Sequence, residues 1–141
     1  MDQHQLVGTW QLVSCTLEGS DGSISYPFGR DAIGYMMYLP DGYMGWAMME
    51  AHRAPFASPE PLDGTDQEKI AAYGTYFSYF GRYILQGGHI RFPVLVSLFP
   101  NWTDTEQERF IVLTGERLHI WTHPMTIHGK TVTGHFRFVH V

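Results

Sequence analysis

The stretch Gly34-Tyr35-Met36-Met37-Tyr38-Leu39-Pro40-Asp41-Gly42-Tyr43-Met44-Gly45-Trp46-Ala47-Met48-Met49 decides the fold. Its centre, Pro40-Asp41-Gly42, is a tight-turn signal: proline presets one backbone angle of the bend and glycine accepts a positive φ. Residues 34–39 and 43–49 then read as the two strands of one hairpin. Strand alternation puts Met36 and Tyr38 on one face, and Met44, Trp46 and Met48 on one face. Tyr35, Met37 and Tyr43 fall on the alternate faces, so neither side is polar. A strand apolar on both faces is either buried twice, or lines a pocket on one side and packs on the other.

Working outward, residues 6–17 read as a first strand, with Trp10, Leu12, Ser14 and Thr16 on one face and Val13, Cys15 and Leu17 on the other. A turn-rich segment, residues 18–23, leads to a short strand at 23–26, broken by Pro27-Phe28-Gly29-Arg30-Asp31. Residues 51–65 hold Pro55, Pro59, Pro61 and Gly64 and form a long loop of the kind that often covers a site. Thr65 or Asp66 is placed to cap a helix over 67–76, to which Ile70, Tyr73 and Phe77 give one apolar side. Strand character returns at 76–85, 90–99, 107–113, 118–122 and 131–141, with Pro93 demoting part of its strand to an edge or a bulge. About eight to ten short antiparallel strands and one short helix describe an all-β up-and-down barrel or a sandwich. No repeat or linker interrupts the 141 residues, so a single domain over 1–141 is expected.

Hydrophobic residues make up 44% of the chain and charged residues 16%, which argues against disorder. The formal net charge of -5, without a Lys/Arg cluster, leaves no electrostatic footprint for nucleic acid or an anionic membrane. One cysteine, Cys15, makes no internal disulfide. The polar opening Met1-Asp2-Gln3-His4-Gln5 does not read as a signal peptide, and no apolar run reaches the length of a membrane span, so a cytoplasmic location is expected.

Several segments carry a family resemblance. Leu6-Val7-Gly8-Thr9-Trp10 holds a Gly-x-Trp signature, followed in order by Tyr26-Pro27-Phe28-Gly29, Asp41-Gly42-Tyr43-Met44, Ala71-Ala72-Tyr73 with Tyr76-Phe77-Ser78-Tyr79, and Ser97-Leu98-Phe99-Pro100-Asn101-Trp102. Gln107, Arg109 and Glu116-Arg117-Leu118 continue the pattern. Together they resemble the small bacterial and fungal lipocalin-like domain family, a calycin-type β-barrel. The resemblance implies a barrel closed around a cavity, in a family of which some members accompany natural-product pathways. The chain departs from that pattern at Phe92, Pro93 and Leu95, where relatives often carry histidine and an acidic residue, and at its Phe136, Phe138 and His140 ending, where they often carry Trp and Arg. The first departure exchanges polar groups for apolar surface and implies a pocket suited to a greasier ligand.

The candidate chemistry is sparse. His119, His123, His128, His135 and His140 cluster in sequence, but no metal-ligand spacing joins them, so hydrogen-bonded or surface histidines are expected and no metal or cofactor. Ser97 lacks the glycine elbow of a nucleophile, and Cys15 lacks a basic neighbour. No glycine-rich turn offers a phosphate cradle. Arg109 alternates with Gln107 and Ile111, so it faces the interior if Ile111 does. Two roles stay open for it: a strut stacked on Trp10 at the barrel end, as lipocalins imply and for which Arg137 competes, or an anchor for a ligand oxygen. The expected pocket residues are Met36, Met44, Trp46, Met48, Ser97, Phe99 and Trp102, with Arg109, Tyr38 and Tyr79 as candidate catalytic groups. Trp121 falls opposite Leu118 and Ile120 and is expected to point outward, consistent with a homodimer. The leading expectation is a cofactor-free pocket protein acting on a hydrophobic, ring-containing, polyketide- or terpenoid-like metabolite as a biosynthetic cyclase, isomerase or dehydratase. The alternative is a non-catalytic small-molecule binding or carrier protein.

Overall fold

Eleven strands share one antiparallel sheet in the computed structural model, which describes residues 1–141. The order along the chain is α1 (Gln3–Leu6), β1 (Gly8–Gly19), β2 (Ile24–Ser25), β3 (Ile33–Tyr38), β4 (Tyr43–Met49), α2 (Asp66–Gly74), β5 (Tyr76–Arg82), β6 (Ile84–Gln86) and β7 (His89–Ser97). A 3-10 turn (Pro100–Trp102), β8 (Glu106–Thr114), β9 (Arg117–Thr122), β10 (Met125–Ile127) and β11 (Lys130–His140) complete it. The short strands β2, β6 and β10 lie off the ring. The other eight pair with their neighbours in sequence, and β11 pairs back onto β1, which closes an up-and-down barrel. Closure removes the open sheet edges at which chains otherwise aggregate.

The hairpin turning at Pro40-Asp41-Gly42 forms as expected. Met36 pairs with Trp46 and Tyr38 with Met44, Gly42 takes a φ of 87° in the turn, and Met36, Tyr38, Met44, Trp46 and Met48 all face the core. The alternate residues Tyr35, Met37 and Tyr43 stay exposed on the outer wall.

One end of the barrel is plugged by α1, which the sequence reading did not anticipate. Asp2 and Gln5 form a reciprocal capping box, fixing a short turn that would be marginal in isolation. Leu6, its last residue, is fully buried, and Trp10 Nε1 donates to the Leu6 carbonyl at 2.8 Å. Gly8, at φ 134°, carries the chain from helix to strand, and a Cβ there would lie 2.7 Å from His140 Nε2. The Gly-x-Trp signature is therefore a backbone requirement followed by a ring that seals the barrel floor.

Four expectations need correction. A register shift between Leu12 and Ser14 places a bulge at Val13. Beyond it the inward face of β1 changes parity, so Cys15 is buried in the core while Ser14 is only half-buried. The helix does not present an apolar side to the barrel: α2 has no buried residue, and Ile70 and Tyr73 are exposed. Phe77 belongs to β5 instead. Nor does the 51–65 loop cover the barrel. It packs on α2, where Glu68 accepts from the Ala57 and Thr65 backbone amides and Arg53 donates to the Ala72 carbonyl. Pro93 sits in an inner strand, not an edge, and the bulge expected near it lies at Leu95, between the partners of Phe80 and Gly81.

Candidate functional site

A cavity of about 170 Å³ occupies the half of the barrel away from α1. On β1 it is lined by Cys15 and Leu17, the residues that the bulge turns inward. Met36, Trp46, Met48, Phe77 and Tyr79 form one wall, and Ile120, Thr122, Gly134 and Phe136 form the other. Pro27, Phe28, Trp102, Met125 and Ile127 ring its mouth. The rings interlock: Trp46 meets Phe136 edge-on at 5.2 Å and Tyr79 at 6.1 Å, and Trp102 meets Phe77 at 5.4 Å. Such edge-to-face contacts hold ring planes at fixed angles and give the cavity a defined shape.

Arg109 is the sole charged residue in this lining. It is 8% exposed, next to fully buried Ile111, as the alternation along β8 required. Its Nη1 donates to the Glu108 carbonyl at 2.8 Å, and its guanidinium lies 5.5 Å from the Trp102 ring centroid. It does not stack on Trp10, whose ring meets His140 edge-on at 4.8 Å at the opposite end. Of the two roles left open for Arg109, the strut on Trp10 is thus absent. Nor does Arg137 fill it: its side chain is 42% exposed and directed to Glu18 and Thr16.

The remaining polar groups are few. Trp46 Nε1 is buried and meets no acceptor in full hydrogen-bond geometry, and the Tyr79 hydroxyl is the group close enough to feel it. Thr122 Oγ1 is taken up by the Gly134 amide at 2.9 Å. Burial raises the Tyr79 hydroxyl pKa above its ordinary value against the pull of Arg109, and burial pushes the Cys15 thiol up to about 12. No Asp, Glu or His lines the cavity. Arginine keeps its proton at any physiological pH, so no lining side chain exchanges a proton near neutrality.

Of the residues singled out in the sequence, Met36, Trp46, Met48, Tyr79, Trp102 and Arg109 meet at this cavity. Tyr38 and Met44 do not: they lie on the inner face at the α1 end, where Tyr38 packs edge-on against Tyr83 at 4.9 Å. Ser97 sits opposite Tyr79 on β7 with its Oγ buried and unpartnered. Phe99 packs behind Trp102 at 5.8 Å. Cys15, Phe136 and the β10 residues Met125 and Ile127 were missed. The bulge hid the first, and β10 has too few residues for a periodic signal.

The outer wall carries two further features. Tyr35, Met37, Leu39, Tyr43, Phe80, Leu95 and Val96 line an open apolar groove of about 700 Å³. On the opposite wall Trp121 points outward as expected and stacks on Phe110 at 5.4 Å. There His135 Nε2 lies 2.6 Å from Glu18 Oε2, and its Nδ1 is 2.9 Å from His119 Nε2.

Comparison with known proteins agrees with this architecture. The lipocalin-like domain family matches residues 7–136. A relative from Aspergillus oryzae, named a 4'-hydroxy-3'-methoxypropiophenone carrier protein, is 34% identical over 79 residues, covering 50% of this chain and 71% of that protein. A crystal structure of a lipocalin-like protein from Bacteroides uniformis superposes with a TM-score of 0.50 at 15% identity, covering 96% of this chain and 98% of the other. At that identity the likeness concerns the fold alone. No helix is long and apolar enough to cross a membrane.

Proposed function

The chain belongs to the lipocalin-like domain family, and we propose that it binds a small, single-ring hydrophobic metabolite in the barrel cavity and releases it unchanged, as a binding or carrier protein. The observation that carries this reading is the lining itself: a cavity of about 170 Å³ walled by rings and methionines, with one cation and no proton-exchanging group. Size sets the ligand class. An apolar protein cavity of about 150 Å³ takes up benzene, so this one suits one ring with short substituents, at the small end of the ring-containing metabolites expected from sequence. Met36 and Met48 adapt the walls to such substituents.

The Aspergillus relative supports the same reading, since its name describes a carrier of a single-ring phenolic ketone. A cyclase, isomerase or dehydratase would require a group to take or give a proton within hydrogen-bond reach of the substrate. Burial raises the pKa of both the Tyr79 hydroxyl and the Cys15 thiol, which makes them weaker proton donors and keeps them from serving as bases near neutrality, and so supports binding over catalysis.

The test is a titration with 4-hydroxypropiophenone, followed by Trp fluorescence and by NMR of the ligand. Saturable one-to-one binding with the ligand recovered unchanged is expected, weakened in Trp46→Leu. Accumulation of a new product with turnover would replace the carrier by an enzyme, and no saturable binding would remove both.

A further inference from the structure

We propose that the cavity holds its ligand as an oxyanion: a single-ring molecule whose acidic hydroxyl or carboxyl group loses its proton on binding and lies against Arg109. This rests on the reading of the cavity as a small-molecule pocket and specifies the ligand's charge.

A guanidinium presents five N–H donors in a planar fork and accepts nothing. Within the chain Arg109 makes one hydrogen bond, to a backbone carbonyl, and takes part in no ion pair (the six ion pairs of the protein all involve other residues). Its remaining donors belong to a residue that is 8% exposed and borders the cavity. A buried charge without a counter-charge is costly, and proteins ordinarily pair it. No carboxylate stands in the lining to do so.

The other polar groups of the lining, the Tyr79 and Thr122 hydroxyls and the Cys15 thiol, are neutral and supply no counter-charge, and the rest of the lining is apolar. The cavity therefore offers an uncompensated cation to whatever fills it. Its complement is a group that accepts from a guanidinium and carries negative charge, attached to a ring: a phenolate, an enolate or an aromatic carboxylate. A neutral hydroxyl would leave the guanidinium without a counter-charge in a low-dielectric site, where that interaction counts most. The ligand's proton passes to bulk buffer as the oxyanion forms, so binding releases a proton whenever the free ligand is protonated.

Two chromophores of equal ring size separate the possibilities: 4-nitrophenol, whose phenolate is yellow, and 4-nitroanisole, which has no ionisable group. At a pH about one unit below the solution pKa of 4-nitrophenol, the bound form is expected to be mainly yellow phenolate, and the protein to prefer it over 4-nitroanisole by about tenfold or more. Arg109→Met is expected to keep 4-nitroanisole binding, to lose the preference and to bleach the bound phenolate; Arg109→Lys retains part of both. The wild-type comparison decides the matter even if a variant fails to fold. Equal affinity for the two compounds, with bound 4-nitrophenol colourless, would overturn the oxyanion while leaving the pocket intact. Absence of binding for both, by calorimetry, would overturn the pocket reading beneath it.

Discussion

The Arg109 guanidinium lies 5.5 Å from the centroid of the Trp102 ring, at the mouth of a cavity whose lining contains no carboxylate. A ring face attracts a cation by about 0.5–1 kcal/mol at exposed sites and more when desolvated. Burial of the charge opposes that gain, and no ion pair is lost when it is removed. Arg109→Met is therefore expected to leave the free energy of unfolding within about 1 kcal/mol of the wild type. Urea denaturation checks this. A loss above about 2 kcal/mol would make Arg109 a structural strut rather than a ligand anchor.

The bulge between β5 and β7 yields a second prediction. A methyl group on Gly81 would overlap the carbonyl oxygen of Pro93, which is backbone and cannot rotate away. Gly81→Ala is expected to destabilise by about 1–3 kcal/mol. Gly74→Ala is the internal control: nothing lies within 4 Å of the added carbon at the end of α2, so gains of up to about 1 kcal/mol are expected from helix propensity. Thermal or urea unfolding of the pair separates close backbone approach from glycine's general entropy.

Much of the barrel was legible because alternation is a local property. Residues 43–49 were read with the bounds that β4 has, and Arg109 was placed inside from its parity with Ile111. Parity, however, gives a face and not a depth. Tyr38 and Met44 are as inward as Met36 and Trp46, yet they lie at the plugged end, because Tyr38 pairs with Gly8 next to α1 while Met36 pairs with Trp10. Only cross-strand register sorts one inner face into floor and cavity. The bulge at Val13 was hidden for a related reason: nothing in Leu12-Val13-Ser14 breaks an alternating pattern, and the extra residue shows only against β11. The 51–65 loop failed as a lid because Glu68 and Arg53 tie it to α2 through long-range contacts that composition does not encode.

Cys15 offers a probe of cavity access. Burial pushes its thiol from the ordinary 9.0 up to about 12, which at a pH near 8 lowers the thiolate fraction by about a thousandfold. Disulfide-exchange reagents are expected to label the folded protein slower than an unstructured cysteine peptide by at least that factor. Labelling should become rapid in urea. Fast labelling of the native protein would mean that the barrel opens widely at the β1 side, and the cavity would then admit ligands larger than one ring.

The last prediction concerns acid stability and the outer wall. Since the Glu18 carboxylate only accepts, the 2.6 Å contact assigns the His135 proton to Nε2, leaving Nδ1 to accept from His119 Nε2 at 2.9 Å. Both imidazoles are held below the ordinary 6.5, chiefly by burial, with Arg137 adding to the effect and Glu18 opposing it. The sign follows from proton counting: below 6.5 the unfolded chain takes up protons that the folded chain refuses. The contribution of these histidines is complete above 6.5 and is lost as pH falls from there through the folded values. Stability measured by urea at steps from about pH 7.5 to about pH 5 should therefore decline. The double variant His119→Gln with His135→Gln should flatten that decline. Glu18→Gln should steepen it, because the one charge that favours protonation is removed while burial and Arg137 remain. A slope indifferent to all three substitutions would place the acid sensitivity of the fold elsewhere.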